Sequence, residues 1–243
     1  MSVVRNIKRI LLIIYYTFIM YFVTHLVVFF LVPFWFVCTW SSRDLIYKFK
    51  MRFGKLLLAM VNKRITISGQ DNIQKEKIYL IVANYPSFYT GFILMSIFPQ
   101  ASILVHDFMS KIPLISTMFR RNGFIFAQRK NYQKTKQTLK TAIDETKGGS
   151  IIVLPEGKRT PDGQLHTFKK GFAYIARQTT LDILPVTLNG FYKLKPVNRH
   201  YMDPNTELEV IIHDPVSYST IEPLSKEQII MKIRSIVADS YKP

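Results

Sequence analysis

The sequence is poor in cysteine and in acidic residues. Its single cysteine, Cys38, excludes an internal disulfide and a cysteine-based zinc site. Only 16 Asp and Glu residues stand against 33 Lys and Arg residues, so the formal net charge is +17. A chain that is 48% hydrophobic is too apolar to be a disordered basic tail. The excess charge therefore belongs to a folded protein, whose partner we expect to be an anionic surface, either nucleic acid or lipid.

Charged residues are missing altogether from residue 10 to residue 40. About 20 apolar residues suffice to cross a bilayer as a helix, whereas a secretory signal peptide has an apolar core of about 7–15 residues. Cations flank the run on both sides, which a single span with one cytoplasmic end does not explain. The pattern favours a helical hairpin in the cytoplasmic leaflet, broken near Pro33, with a single span as the alternative. The flanking cations are Arg5, Lys8, Arg9, Arg43, Lys48, Lys50, Arg52 and Lys55.

Residues 43–61 have the periodicity of an amphipathic helix. The apolar residues fall in a sector about 120° wide, and Lys48, Arg52 and Lys55 occupy another sector. Beside a lipid-buried segment, this pattern predicts an interfacial helix whose cations face anionic headgroups. The alternative is a helix packed on the core of its own domain. We expect residues 1–62 to anchor the protein to a membrane and residues 63–243 to form a separate domain. The apolar sector contains Leu45, Ile46, Phe49, Phe53, Leu56, Leu57 and Met60.

Beyond residue 63, short apolar runs alternate with helical stretches. This alternation predicts an α/β fold with a mostly parallel mixed sheet flanked by helices. The sequence has no glycine-rich dinucleotide fingerprint, no P-loop and no Gly-x-Ser-x-Gly nucleophile motif. The predicted strands are residues 64–68, 78–83, 102–105, 124–127, 151–154, 183–187 and 207–213. The predicted helices are residues 91–98, 113–121, 132–146, 168–178 and 226–240.

Four segments with motif-like residues lie at the ends of predicted strands. In α/β folds, ligands bind at these strand ends. They are Asn-Tyr-Pro-Ser-Phe-Tyr-Thr-Gly at residues 84–91, Gly-Phe-Ile-Phe-Ala-Gln-Arg at 123–129, Leu-Pro-Glu-Gly-Lys-Arg-Thr at 154–160 and Ile-Leu-Pro-Val at 183–186. In order and spacing they resemble the four motifs of the lysophospholipid acyltransferases, the 1-acylglycerol-3-phosphate acyltransferase family. The resemblance covers about residues 65–215. Its most specific part is Pro-Glu-Gly-x-Arg, with Phe-Lys-Lys-Gly downstream at residues 168–171.

The first motif departs from the family pattern at two positions. Where the family has a histidine general base and an aspartate that orients it, this sequence has Tyr85 and Thr90. A tyrosine with an ordinary pKa near 10 is almost wholly protonated at neutral pH, and losing a positioned base typically costs about 10²–10⁴ in rate. His106 and His166 lie near motif loops and can enter the site from there. The alternative is that both are surface histidines.

The resemblance implies that the residues for binding an anionic headgroup are retained. It places Arg129 and Arg159 against phosphate, which a guanidinium can grip with two hydrogen bonds. Gly157 would let the backbone approach the ligand, and Glu156 would organise its loop by accepting hydrogen bonds. Two further cations belong to the same set of substrate-binding candidates: Lys158, where the family usually has threonine, and His106, where relatives often have another cation near the phosphate.

The family resemblance implies a reaction and its substrates. An acyl chain passes from acyl-CoA or acyl-carrier protein to the free hydroxyl of a lysophospholipid, foremost lysophosphatidic acid, in phospholipid biosynthesis at a membrane. No cofactor and no metal ion are implied beyond the acyl donor. The alternative is a relative that binds lipid, with anionic membrane lipids as partners, but has lost the chemistry.

Nucleic acid is the other anionic partner to consider. The Lys-rich run at residues 129–147 can track a phosphate backbone. However, the sequence contains no recognised nucleic-acid module, and nucleic-acid binding leaves the apolar N-terminus unexplained. We therefore expect lipid, and not nucleic acid, to be the partner.

Overall fold

The structure is a computed structural model. It describes residues 2–26, 43–60, 65–74, 76–106, 116–117, 120, 124–127, 149–203 and 205–243. The helices of these parts are α1 (Ser2–Leu26), α2 (Arg43–Met60), α3 (Tyr89–Ile97), α4 (Gly171–Thr179), α5 (Phe191–Leu194), α6 (Tyr218–Ile221) and α7 (Lys226–Asp239). The strands are β1 (Ile65–Ser68), β2 (Tyr79–Ala83), β3 (Ser102–His106), β4 (Phe124–Ala127), β5 (Ile151–Val153), β6 (Asp182–Asn189) and β7 (Leu208–Ile212).

The seven strands form one sheet in the order β1-β7-β6-β2-β5-β3-β4. Only the pairing of β6 with β7 is antiparallel; β2 runs parallel to both β5 and β6 at the centre of the sheet. The prediction of a mostly parallel mixed sheet is confirmed, and each predicted strand lies within two residues of the observed one.

The central strands are buried on both faces, as parallel strands covered by helices must be. Every residue of β2 is buried, and successive side chains point to opposite faces of the sheet. Ile81 belongs to a core layer with Ile93 and Leu94 of α3. Leu80 belongs to the opposite layer, which contains Phe172 of α4 and Ile233 of α7. Two apolar layers therefore hold the sheet rigid under the loops that follow β2 and β5.

The helices predicted at residues 91–98, 168–178 and 226–240 are present as α3, α4 and α7, with shifted ends. α7 begins with a capping box, in which Ser225 and Gln228 each bond the other's backbone amide. Of the predicted helix at 113–121 only residues 116, 117 and 120 are described, and they are helical. The predicted helix at 132–146 lies outside the described residues.

The structure describes two N-terminal helices, one that covers the first part of the apolar run and one that begins after it. α1 covers residues before Pro33 and α2 covers the predicted amphipathic segment, while Pro33 itself lies outside the described residues. Among the helices that the structure describes, none combines the length and the apolar character needed to cross a bilayer.

One cation of α2 differs from the pattern read from the sequence. Lys48, Arg52 and Lys55 are exposed, but Lys50 is only 5% exposed. The Lys50 ammonium donates to the carbonyl of Pro99 at 3.2 Å and lies 5.6 Å from the ring centre of Tyr47. Lys50 therefore packs against the protein and does not belong to the exposed cationic side of the helix.

Candidate active site

The candidate site lies where β2 and β5, which are neighbours in the sheet, reach their carboxyl ends. Asn84 directly follows β2, and its side chain is buried. Its amide donates to the Leu188 carbonyl at 3.0 Å and its oxygen accepts from the Leu188 amide at 2.8 Å. The side chain thus continues the pairing with β6 for one step beyond β2, so the first-motif loop leaves the sheet at a fixed point.

The backbone of Tyr85 is held from both sides by residues 154–166, which contain the third motif and are called the third-motif loop below. Its amide donates to Oε1 of Glu156 at 2.6 Å, and its carbonyl accepts from the amide of Thr160 at 3.1 Å. Burial raises the pKa of the half-buried phenol, although the positive charge of Arg159 opposes this shift. At neutral pH the phenol therefore keeps its proton, and it can donate a hydrogen bond but cannot act as a general base.

Thr90 does not act on Tyr85 as an orienting partner. It lies buried in the first turn of α3, where its hydroxyl oxygen accepts from the Ser87 amide at 3.3 Å. Its own amide donates to the Ser87 carbonyl at 3.2 Å. Among the described contacts, no hydrogen bond joins the side chains of Tyr85 and Thr90. The position of the family's histidine therefore has a phenol, and the position of its aspartate has a hydroxyl that bonds only within its own turn among the described contacts.

Glu156 is a buried carboxylate, only 4% exposed, that joins two loops. Besides the Tyr85 amide on Oε1, it accepts the amide of His166 on Oε2 at 3.1 Å. Burial raises the pKa of this carboxyl, and the two amide hydrogen bonds oppose the shift. Both oxygens are occupied by backbone donors, so the carboxylate fixes the loops around it.

The next three residues, Gly157, Lys158 and Arg159, are exposed at the rim of the site. Gly157 has a φ of +69°, a conformation that favours glycine, and a Cβ there would lie 2.5 Å from the Lys169 ammonium. Exposed backbone and two exposed cations at one turn form a surface that an anionic group can approach.

Two other candidates can be placed only in part. His106 is the last residue of β3 and so lies at the same edge of the sheet. Arg129 lies outside the described residues. In the described part of the chain, no group of three or more His, Cys, Asp and Glu residues is arranged to hold a metal ion.

Sequence reasoning missed Lys195 and Asp162. Lys195 follows α5; burial lowers its pKa, and the charge of Arg159 adds to that shift. α5 contacts the third-motif loop through Tyr192, whose hydroxyl donates to the Pro161 carbonyl at 3.1 Å. Asp162 is within hydrogen-bond distance of His166, with 2.8 Å between Oδ1 and Nε2. No motif marks Lys195, and the only sequence signal for Asp162 is that it precedes His166 by four residues.

Comparison with known families identifies the region that contains this site. Residues 64–189, a little more than half of the chain, match the model of the family described as acyltransferase. This range includes the first and third motifs and the central strands β2, β5 and β6.

Individual relatives give the same result. The chain is 28% identical over 179 residues to the chloroplastic 1-acyl-sn-glycerol-3-phosphate acyltransferase of Arabidopsis thaliana, covering 73% of this chain and 49% of that protein. It is 27% identical over 192 residues to the 1-acyl-sn-glycerol-3-phosphate acyltransferase of Borreliella burgdorferi, covering 75% and 76%. The chain therefore spans about half the length of the Arabidopsis relative and about three quarters of the bacterial one.

A solved structure resembles the whole fold. The crystal structure of the 1-acyl-sn-glycerophosphate (LPA) acyltransferase of Thermotoga maritima superposes with a TM-score of 0.77 at 26% identity, covering 96% of this chain and 94% of that one. Because 96% of this chain is covered, the similarity extends to the described N-terminal helices α1 and α2.

Proposed function

This chain belongs to the acyltransferase family, and we propose that it transfers an acyl chain from a thioester donor to the free hydroxyl of a lysophospholipid. The proposed acceptor is lysophosphatidic acid, since the matched relatives are named for that reaction. The proposed donor is acyl-CoA or acyl-carrier protein, with no further cofactor.

The single observation that carries the proposal is the third-motif loop at the carboxyl end of β5. Its exposed backbone at Gly157 and the exposed cation of Arg159 stand beside the half-buried Tyr85. The loop is held to the first motif by Glu156. A phosphate placed on this turn gains charge-assisted hydrogen bonds, and the acceptor hydroxyl of the same lipid then lies near the first motif. We assign the headgroup to Arg159 together with Arg129, Lys158 and His106.

A second function is favoured by one specific observation. Tyr85 is a protonated phenol and Thr90 is bound to Ser87, so the first motif supplies no base. A protein that binds the lysophospholipid without turning it over fits these two residues. A test of the function must therefore measure acyl transfer and binding of the lysophospholipid separately.

We propose that the N-terminal helices hold the protein on one leaflet at the cytoplasmic face of a membrane. At 100° per residue, the exposed apolar residues of α1 form one stripe, and Arg9 lies on the opposite side. Arg9 pairs with Asp203 at 3.0 Å, and the hydroxyl of Thr17 accepts from the Met202 amide at 3.3 Å. The contacts with the domain thus come from outside the stripe, and the exposed stripe can contact acyl chains. The stripe consists of Ile7, Ile10, Leu11, Ile14, Tyr15, Phe18, Tyr21 and Phe22.

The α2 helix extends this contact to headgroups. Its exposed cations Lys48, Arg52 and Lys55 attract anionic lipid, with a gain of about 1 kcal/mol for each cation near the surface. The anchoring part of the chain then consists of residues 1–62. The α/β domain consists of residues 63–243, and the division between the two falls just after α2.

The proposal is tested by measuring transfer of a labelled acyl chain from acyl-CoA to lysophosphatidic acid in mixed micelles, together with binding of the lysolipid. The parent chain is compared with the double variant Tyr85→His, Thr90→Asp, which supplies the family's base and its partner. We expect measurable transfer by the parent and a gain of up to about 10²–10⁴ in the double variant.

Arg159→Ala tests the headgroup site. Removing a charge-assisted hydrogen bond costs about 1.5–3 kcal/mol, so we expect affinity for the lysolipid to fall tenfold or more. Arg199→Ala, which removes another exposed arginine, is the matched control and should leave affinity unchanged. Binding without transfer in the parent would favour the lipid-binding function. A folded double variant that transfers to none of several lysolipids would contradict the proposed reaction.

A further inference from the structure

The third-motif loop contains a histidine paired with a carboxylate. Nε2 of His166 lies 2.8 Å from Oδ1 of Asp162. The same carboxylate oxygen accepts from the hydroxyl of Thr160 at 2.8 Å and from the amide of Gln164 at 3.0 Å. This is the only ion-pair contact between an imidazole and a carboxylate in the described part of the chain.

The hydrogen bonds to Asp162 determine which nitrogen of the imidazole is basic. The Gln164 amide, the Thr160 hydroxyl and the His166 ring lower the pKa of Asp162 to about 2, so the carboxylate is ionised and can only accept. A neutral His166 must therefore carry its proton on Nε2 and donate it to Asp162. The lone pair is then on Nδ1, which receives no hydrogen bond among the described residues.

The pair is connected to Tyr85 by two short paths. The His166 amide and the Tyr85 amide bind the two oxygens of one carboxylate, that of Glu156. Thr160, whose hydroxyl donates to Asp162, also donates its amide to the Tyr85 carbonyl. The imidazole is partly exposed, with 39% of the side chain accessible. Hydrogen bonds through Glu156 and Thr160 thus link the pair to the backbone of Tyr85, the position of the family's base.

We propose that His166, oriented by Asp162, is the general base of this chain and replaces the base that its first motif lacks. The proposal rests on the proposed acyl transfer. The third-motif loop carries both the anion-binding Arg159 and the base, while Tyr85 donates a hydrogen bond.

The chemistry of the step balances without a further reagent. Nδ1 of His166 takes the proton from the acceptor hydroxyl as its oxygen attacks the carbonyl carbon of the acyl thioester. The tetrahedral intermediate collapses as the C–S bond breaks. The imidazolium returns the proton to the leaving thiolate, so the products are the ester and the free thiol. Asp162 stabilises the imidazolium between the two transfers and is a positioning residue.

Other charged groups also face this histidine. Glu156 binds its amide, and Arg234 of α7 donates to its carbonyl at 3.3 Å. Both groups remain in variants that change only the imidazole or Asp162, so such variants isolate the contribution of the pair.

The test compares the full-length parent with His166→Ala and Asp162→Asn, assayed for acyl transfer from acyl-CoA to lysophosphatidic acid across pH. We expect His166→Ala to lower kcat by about 10²–10⁴ with lysolipid affinity and melting temperature retained. Added imidazole should restore part of the rate. Asp162→Asn should lower kcat less and leave the KM for lysophosphatidic acid unchanged, because the imidazolium loses its anionic partner while the base remains. His200→Ala, at an exposed histidine, is the matched control.

Four outcomes separate this inference from the proposed function. If His166→Ala loses activity that imidazole restores, and His200→Ala keeps the parent's activity, the result supports His166 as the general base. An unchanged rate in His166→Ala overturns it and leaves the acyl transfer standing. An inactive parent beside an active Tyr85→His, Thr90→Asp variant also overturns it, because the scaffold then lacks only the first-motif base. If the folded double variant is inactive as well, the proposed function fails and the inference fails with it.

Discussion

Glu156 binds Tyr85 through the backbone, with 2.6 Å between Oε1 and the Tyr85 amide nitrogen, although 71 positions separate the two residues in the chain. The other oxygen of the carboxylate binds the amide of His166. Because one buried side chain satisfies two loop amides, it joins the first motif to the third-motif loop through their backbones. The arrangement is independent of what stands at position 85, so the tyrosine is accommodated without loss of the loop.

Glu156→Gln tests this connection. Glutamine keeps one oxygen acceptor but turns an NH₂ group toward the second backbone amide, which is then left without an acceptor. We expect the free energy of unfolding to fall by about 1–3 kcal/mol. Urea titration in detergent micelles measures the change, and the exposed Glu222→Gln is the control. Equal stability of the two variants would show that solvent replaces the carboxylate at one of the amides.

Gly157→Ala and Gly171→Ala form a matched pair. At Gly157 an alanine must adopt a φ of +69° and displace the Lys169 ammonium from 2.5 Å, whereas nothing lies within 4 Å of a Cβ at Gly171. The left-handed conformation costs about 1–2 kcal/mol, and the flexible lysine end moves at little cost. We expect Gly157→Ala to lower the unfolding free energy by about this amount and to weaken lysolipid binding.

Gly171→Ala should behave in the opposite way. Gly171 begins α4, so alanine reduces the conformational freedom of the unfolded chain and is expected to stabilise by about 0.4–1 kcal/mol. Calorimetry on both variants checks the difference in sign. A Gly157→Ala protein as stable as the parent would mean that the loop adopts another backbone conformation.

The sheet was predictable because its central strands are continuous apolar runs. β2 and β5 are buried at every position, and such a run between polar loops permits few other interpretations. The antiparallel direction of β7 was not predictable, since a strand's periodicity is the same whichever way the strand runs. Its direction follows from its pairing with β6, the strand that precedes it in the chain.

The motifs predict the positions of the candidate site but not its contacts. The motifs identify Tyr85, Glu156 and Arg159, and their placement at strand ends follows from the fold. Two contacts depend on loop conformations: Glu156 binds backbone amides, and Asp162 faces His166. Loops have no repeating pattern of residues from which such contacts can be predicted. Arg159 also lies near Lys195, which follows α5 and belongs to none of the motifs.

Lys50 shows that a charged side chain alone does not predict exposure. It counts as a flanking cation in the sequence, yet it follows the buried Ile46 by four residues and so shares its side of α2. Its ammonium is buried against the Pro99 carbonyl, with no carboxylate among its described contacts. The long apolar stem makes this burial possible, since the four methylene groups pack while the ammonium finds a single acceptor.

The buried Lys50 predicts a specific dependence of stability on pH. Burial lowers its pKa from 10.5 to about 8, so between these values the unfolded chain binds the proton more tightly than the folded one. The folded state therefore gains stability as pH rises through this window, by about 3 kcal/mol for a shift of this size. Below pH 8 the gain is absent, because the charged ammonium must be buried.

Lys50→Met removes the charge and keeps the apolar stem, so it isolates this effect. We expect the variant's advantage in unfolding free energy over the parent to be largest below pH 8 and to decrease by about 3 kcal/mol as the pH reaches 10.5. Urea titrations at several pH values measure the difference. Arg52→Met, at an exposed position of the same helix, should differ from the parent by a constant amount, because arginine stays charged throughout this pH range. A constant difference for Lys50→Met as well would mean that water reaches the ammonium, and α2 would then be more loosely packed on the turn after α3 than the hydrogen bond to Pro99 indicates.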